Sequence, residues 1–276
     1  MPIYCHTAQL MKIDEETGQK RKLSKRHDPE LSLDYYRNAG YHPAAVREYM
    51  LTLLNSNFEE WRITNPDADI EAFDFTTEKM STSGALFDLN KVNDVSKDVL
   101  VKIPAAALCA FLIDWCRAYE PVLLPLFEGR EAYIEQILDL GRTGAKPRKD
   151  FVCAKQIFAF ISYFFDDYFK IEDAFPENVP QEDIKPILAA YLKTYDHNDD
   201  QSAWFEKIRA IAEEMGYAAK PKEFKKNPDL YKGHVGDVST VIRIALTGRA
   251  QSPDIWEIQQ ILGEQRTKAR LSAILQ

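Results

Sequence analysis

From Pro104 to the C-terminus, apolar residues recur every three or four positions with hardly a break, and no other feature of the chain constrains its fold as much. That spacing marks one face of an α-helix, whereas a half-buried strand alternates with a period of two. The predicted helices are AAALCAFLIDWCRAY, REAYIEQILDL, FVCAKQIFAFISYFFDDYF, DIKPILAAYLKTYD, SAWFEKIRAIAEEMG, DVSTVIRIALTG, PDIWEIQQILG and EQRTKARLSAIL. Several open at Pro, Asp or Ser and stop at Gly, the asymmetry helix ends favour. No fixed long period repeats, so a solenoid is excluded. A helix bundle or superhelix is expected for the second half. The aromatic run Phe158, Phe160, Tyr163, Phe164, Phe165, Tyr168 and Phe169 spreads around its helix, which predicts a buried helix rather than a base-stacking platform.

The first hundred residues are more mixed. IYCHTAQLMKI, with β-branched and aromatic residues, reads as a strand or hairpin, followed by the polar loop DEETGQKRK. LSLDYYRNAG reads as a helix ending at Gly40. Pro43 then opens AAVREYMLTLLNS, with Val46, Met50, Leu53 and Leu54 on one face. The turn-rich stretch WRITNPDADIEAFDFTTEKMSTSGALFD suggests a loop around a short helix, and Asp88 is placed to cap LNKVNDVSKDVLVKI. The 276 residues allow two domains. Only 11 are glycine, about 4% against a usual ~7%, a poor fit to a Gly-rich doubly wound nucleotide-binding domain. No apolar run approaches the ~18 residues a membrane span needs, and the N-terminal residues lack the basic and apolar regions of a secretory signal. The cysteines Cys5, Cys109, Cys116 and Cys153 form no C-x-x-C pair and read as reduced structural thiols.

Net charge is −8 and the pI about 5.3, which argues against a surface coated throughout in nucleic acid. Three basic clusters stand against that background: KRKLSKR at 20–26, GRTGAKPRK at 141–149 and KPKEFKKNPDLYK at 220–232. Three such clusters in one acidic chain point toward an extended polyanion as partner. The histidines His6, His27, His42, His197 and His234 show no H-x-x-x-H or H-E-x-x-H spacing, so no metal ligands are assigned. His234-Val235-Gly236-Asp237 reads as a loop and helix cap, with Asp237 near the N-terminus of its helix.

Lys22-Leu23-Ser24-Lys25-Arg26 is the segment that carries chemistry. Two lysines three apart in a loop can set two ammonium groups on a polyphosphate, and the small Ser24 between them lets the backbone come close. During transfer at an α-phosphorus, such charges stabilise the extra negative charge of the transition state.

KLSKR followed by HDPELSLDYYRNAGYHPAAVREYMLTLL resembles the signature lysine loop of a class I aminoacyl-tRNA synthetase, K-[LM]-S-K-[RS], and the GY-x-P-x-A-[VL]-x-x-Y run after it is similar to the glutamyl-tRNA synthetase version. SGALFDLNKVNDVS resembles that family's stem-contact segment, and VIRIALTGRAQSPDIWEIQQILGEQRTKARL its C-terminal anticodon-binding segment. The resemblance covers nearly the whole chain. It implies that Lys25 contacts ATP phosphates in the activation step, to which Lys22, the family's first loop lysine, also belongs, that Leu23 lies where the backbone meets the adenine, and that Ser24 is part of the same ATP-binding loop. It also implies that Arg243, in an L-R-x-A-L-T-G pattern with Ile242 for the leucine, and Ile255, two after a proline, face anticodon bases. An Arg near a helix start offers a rigid fork for such contacts. Arg148 and Lys149 fall near another anticodon contact of the family.

By resemblance, then, the fold is mainly α. Residues 1–28 form an edge of a catalytic domain with the KLSKR loop, 29–102 a stem-contact region, and 103–276 an α-helical anticodon-binding region with a division into two sub-bundles near 175–182. The implied function is the C-terminal part of a cytoplasmic ligase that activates L-glutamate with ATP and Mg²⁺ and esterifies it to tRNA(Glu), without membrane or DNA partners. The family's H-I-G-H-like segment has no counterpart before Lys22, so these residues alone are expected to be inactive. The alternative is a stand-alone, non-catalytic helical module that binds tRNA or a protein partner.

Overall fold

The computed structural model describes residues 4, 6–14, 16–80 and 83–276; Cys5 lies outside them. It forms two compact units, one of residues 1–129 with 146–159, the other of residues 130–145 with 160–276.

The first unit opens with β1 (Leu10–Ile13) and β2 (Lys20–Lys22), antiparallel with Met11 opposite Lys22. Part of the expected basic loop is therefore strand. On its other side β1 pairs in parallel with β3 (Ala85–Leu86), a contact across more than seventy residues that the local pattern does not reveal. The helices are α1 (Leu33–Ala39), α2 (Pro43–Leu54), α3 (Phe58–Thr64), α4 (Leu89–Leu100), α5 (Ala105–Tyr119) and α6 (Leu124–Phe127). Ser32 caps α1, and Gly40 closes it in the left-handed region at φ 76°. Asp88 caps α4 through the Asn90 amide, as expected.

On α2 the predicted face is rotated. Ala45 and Tyr49 are the buried positions and Met50 is exposed. Tyr49 carries the largest apolar surface available there, and its hydroxyl accepts the Asp88 amide at 2.8 Å, so the ring turns inward beside Phe87. Leu23, Tyr36, Tyr41, Tyr49, Phe87, Val92, Val152 and Cys153 make one core. Cys109, Cys116 and Cys153 are buried and form no disulfide among the described residues.

In the second unit α7 (Glu131–Asp139), α9 (Gln181–Thr194), α10 (Gln201–Glu214), α12 (Val235–Thr247) and α13 (Ile255–Leu275) follow the predicted periodicity, while α11 (Pro221–Lys226) forms within the third basic cluster, where apolar spacing predicts no helix. The span α13 holds the two helices expected at the C-terminus, which meet at a kink at Gly263, whose φ of 79° is non-helical. The core joins Ile187, Leu188 and Tyr191 of α9, Ile208 of α10, Val238, Val241 and Ile242 of α12 and Leu271 of α13.

The long helix expected over 151–169 is not formed. The helix α8 (Ala154–Ile161) stops, and two short 3₁₀ turns, Ser162–Phe164 and Asp166–Tyr168, continue the chain. Three arginines engage this stretch. Arg249 donates to the Phe160 carbonyl at 3.0 Å and lies over the Tyr163 ring; Arg266 donates to the Phe164 carbonyl at 3.0 Å. Arg270, 6% exposed, pairs with Asp166 and sits 3.9 Å from the centre of the Phe169 ring. Charged donors thus take carbonyls that a continued helix would have bonded internally. Tyr163, Phe164 and Phe165 are buried. No described helix is long and apolar enough to cross a membrane.

Candidate ATP-loop and nucleic-acid interface

The lysine loop is built on one carboxylate. Asp28 is 1% exposed and accepts both terminal nitrogens of Arg21 at 2.7 Å each. It also accepts the Ser24 amide at 2.7 Å, and the Lys12 ammonium stands 3.3 Å away. The Arg21 guanidinium beside it holds this carboxyl far below the ordinary carboxylate range. Lys12 in turn donates to Glu30 at 2.9 Å, which raises its own affinity for the proton. The Leu23 side chain is buried in the core and its amide donates to the Leu10 carbonyl at 3.0 Å. The Ser24 carbonyl then accepts the amides of His27 and Asp28, closing a tight turn over 25–27.

The consequence is a loop fixed at both ends. Lys22, at the end of β2, and Lys25, in the turn, are exposed, and neither enters an ion pair among the described residues. The two ammonium groups are left on a rigid support facing water, an arrangement that fits a polyphosphate. The Leu23 side chain is inward, so only backbone is available there to a ligand. Sequence reasoning missed the parts played by Arg21 and Asp28. The available signal was Asp28, an acid two residues after the last of five cations in seven positions.

Arg243 and Ile255 do come together. They line, with Gln201, Ser202, Trp204, Phe205, Ser239 and Asp254, a hollow of about 320 Å³. Arg243 lies in the second half of α12 rather than near a helix start. Its Nη1 donates to the backbone carbonyls of Ser252 at 3.1 Å and Pro253 at 2.8 Å, and to the Ser252 hydroxyl. It thereby ties α12 to the turn before α13. Ile255 is 1% exposed and belongs to the core, so whatever enters the hollow meets it only at the bottom. Arg148 and Lys149 belong to the other compact unit, where Arg148 pairs with Asp150 and Lys149 with Asp98 at 2.6 Å each. His234 and Asp237 form a capping box at the start of α12. Among the described residues no group of three or more His, Cys, Asp or Glu side chains is arranged to hold a metal ion.

Residues 231–275 match the model of an anticodon binding domain. The whole chain is 62% identical to the glutamate–tRNA ligase of Acetivibrio thermocellus, spanning 50% of that protein. It is 43% identical to that of Clostridium perfringens strain 13, with 98% of this chain and 50% of the relative covered. In fold it is similar to a crystal structure of a glutamate tRNA ligase from Elizabethkingia meningosepticum, with a TM-score of 0.63 at 18% identity, covering all of this chain and 51% of that one. The chain thus spans about half the length of the curated relatives it matches, and it corresponds to their C-terminal half.

Proposed function

We propose, from this kinship with the C-terminal half of glutamate–tRNA ligases, that the chain is the tRNA-recognising half of such an enzyme and lends its lysine loop to the ATP site. In the complete enzyme, the glutamate carboxylate attacks the α-phosphorus of ATP, the bond to the β-phosphate breaks, and pyrophosphate leaves. Lys22 and Lys25 set their positive charge against the ATP phosphates while Asp28 and Arg21 hold the loop that carries them. Residues 1–28 serve the catalytic edge, 29–102 the stem of tRNA(Glu), and 103–276 its anticodon, with a further division near 175–182. Arg243, above the hollow floored by Ile255, is the residue assigned to an anticodon base; Arg148 and Lys149 are assigned supporting contacts. Mg²⁺ enters with the nucleotide, and the enzyme works in the cytoplasm.

The observation that carries this reading is the anchored loop: two exposed lysines without carboxylate partners among the described residues, on a buried Asp28 that is fully engaged. A stand-alone binding module has no use for such a support. The test is titration of the chain with tRNA(Glu) and with an unrelated tRNA over a salt series. Both affinities should fall with salt, with tRNA(Glu) favoured by about tenfold or more throughout. Equal affinities at every salt concentration overturn the reading.

A further inference from the structure

The three basic clusters have different fates in the structure. In the first, Arg21 is committed to Asp14 and Asp28. In the second, Arg148 and Lys149 both face carboxylates. In the third, Lys232 pairs with Asp183, but Lys220, Lys222, Lys225 and Lys226 are exposed and enter no ion pair among the described residues. The chain has a net charge of −8, and among the described residues these four lysines have no acidic partner.

They stand on a prepared platform. The segment from Gly216 to His234 is closed at its neck by three backbone hydrogen bonds. The Lys232 amide donates to Gly216 at 3.0 Å, the Ala218 amide to Gly233 at 2.9 Å and the Val235 amide to Ala218 at 2.8 Å. Tyr217 is wholly buried, and its hydroxyl donates to Asp183 at 2.8 Å, the same carboxylate that holds Lys232. Beyond that neck Pro221 opens α11, and the Phe224 ring rests edge-on against His234 at 5.8 Å. Lys222, Lys225 and Lys226 stand three and four residues apart and so share one side of the helix, with Lys220 just before it. Glu223 is the acid in the first turn of this helix and Lys225 and Lys226 lie in its last. Yet none of the four lysines enters an ion pair among the described residues, and a polyanion would complement them. Because the chain as a whole repels one, such a ligand must be drawn by a local concentration of cations.

We infer that α11 is a rail for a nucleic-acid backbone, on which Lys220, Lys222, Lys225 and Lys226 meet phosphates of the tRNA whose bases are read elsewhere. The inference rests on the tRNA-binding reading above and extends it to a surface that contributes affinity without sequence preference.

The test is a salt series with tRNA(Glu) and an unrelated tRNA, comparing the unaltered chain, a quadruple Lys→Ala variant at these positions and a quadruple Lys→Arg variant. Alanine favours the helix, and thermal melts of each variant verify the fold. The Ala variant should bind both tRNAs about tenfold or more weakly at about 0.1 M salt, with the slope of log affinity against log salt flattened by about 2–3, while the Arg variant keeps both. An unchanged slope, or a loss confined to tRNA(Glu), overturns the rail. If the unaltered chain does not distinguish the two tRNAs but the Ala variant still flattens both slopes, the rail stands and the reading of function falls. No binding of either tRNA by the unaltered chain overturns both.

Discussion

Arg21 grips Asp28 through two hydrogen bonds of 2.7 Å each, and by that pair the strand before the lysine loop is fastened to the residue that ends it. Asp28 is almost fully buried while the Arg21 side chain is 35% exposed, so the carboxylate is the partner that depends on the contact. Asp28→Ala leaves the Ser24 amide and the Arg21 guanidinium without their acceptor and should cost about 2–4 kcal/mol. Amide exchange over residues 23–28 should quicken beyond that of the core helices. Urea melts and hydrogen exchange measure both, and an undisturbed loop would show that the pair does not anchor it.

The same carboxylate predicts a pH dependence. Its folded proton affinity is depressed, chiefly by the Arg21 hydrogen bonds and then by those of Ser24 and Lys12, whereas in the unfolded chain it titrates near ~3.9. Between those values the unfolded state binds more protons, so stability rises with pH across that window. The contribution is therefore complete above about pH 5 and is lost as pH falls through ~4 and below. Asp28→Asn has no such titration. The stability difference between the two proteins should be largest at neutral pH and shrink on acidification below about 4; a constant difference from pH 7 to 3 would refute the assignment. Asp14, also depressed, by its hydrogen bonds with Thr17, is common to both proteins and cancels.

Lys22 and Lys25 should behave in the opposite way. Being exposed and outside the ion pairs of the described residues, either can become alanine with a stability change within about 0.5 kcal/mol. Under the proposed function, Lys25→Ala in a complete enzyme should lower glutamate-dependent ATP–pyrophosphate exchange by about a hundredfold or more, the usual cost of removing one charge that stabilises a transition state. Stability and exchange falling together would mean that Lys25 supports the loop instead of serving the reaction.

Helical periodicity after Pro104 made most of the second half legible, because core positions there repeat locally. Gly40, Asp88 and the His234–Asp237 cap were readable for the same reason: a helix end is decided by a few neighbouring residues. What escaped the sequence depends on distant partners. The end of α8 at Ile161 follows from arginines some 90 to 110 residues later, which take up the carbonyls and rings of the aromatic run. The β1–β3 pairing joins segments of only two to four residues, too short for an alternating pattern to register. On α2 the apolar count favoured Met50, but Tyr49 has a hydrogen-bond partner at Asp88 and takes the buried place. At the site, the lysine loop was visible as a motif, while the clamp beneath it looked like two more charges among many.

One pair of substitutions can separate the contacts of Arg243 with the turn before α13 from the anticodon contact proposed for it. Arg243→Ala removes donors from the Ser252 and Pro253 carbonyls and should cost about 1–3 kcal/mol, along with any preference for tRNA(Glu). Arg243→Lys keeps a cation able to reach those carbonyls but loses the planar fork. It should keep most of the stability yet lose about 1–3 kcal/mol of discrimination between tRNAs, the range of a good bidentate base contact. Parallel melts and tRNA titrations read both. If the Lys variant discriminates like the unaltered chain, Arg243 holds the turn and reads no base.

Gly248 ends α12 at φ 76°, and its carbonyl accepts the amides of Glu172 and Asp173 at 2.9 Å each, so the turn after Arg243's helix is fixed to the segment before α9. A Cβ there would fall 1.9 Å from the Lys170 carbonyl oxygen, a backbone atom that cannot swing aside. Gly248→Ala therefore combines left-handed strain of about 1–2 kcal/mol with a steric displacement of about 1–3 kcal/mol. Gly129 provides the comparison: its φ is 78°, but a Cβ would meet nothing within 4 Å, so Gly129→Ala should cost only the strain. Guanidinium melts should rank the variants in that order, with Gly248→Ala also weakening tRNA binding through the displaced turn. Equal costs for the two glycines would mean that the chain around Lys170 yields, and that the turn is not held as tightly as these contacts require.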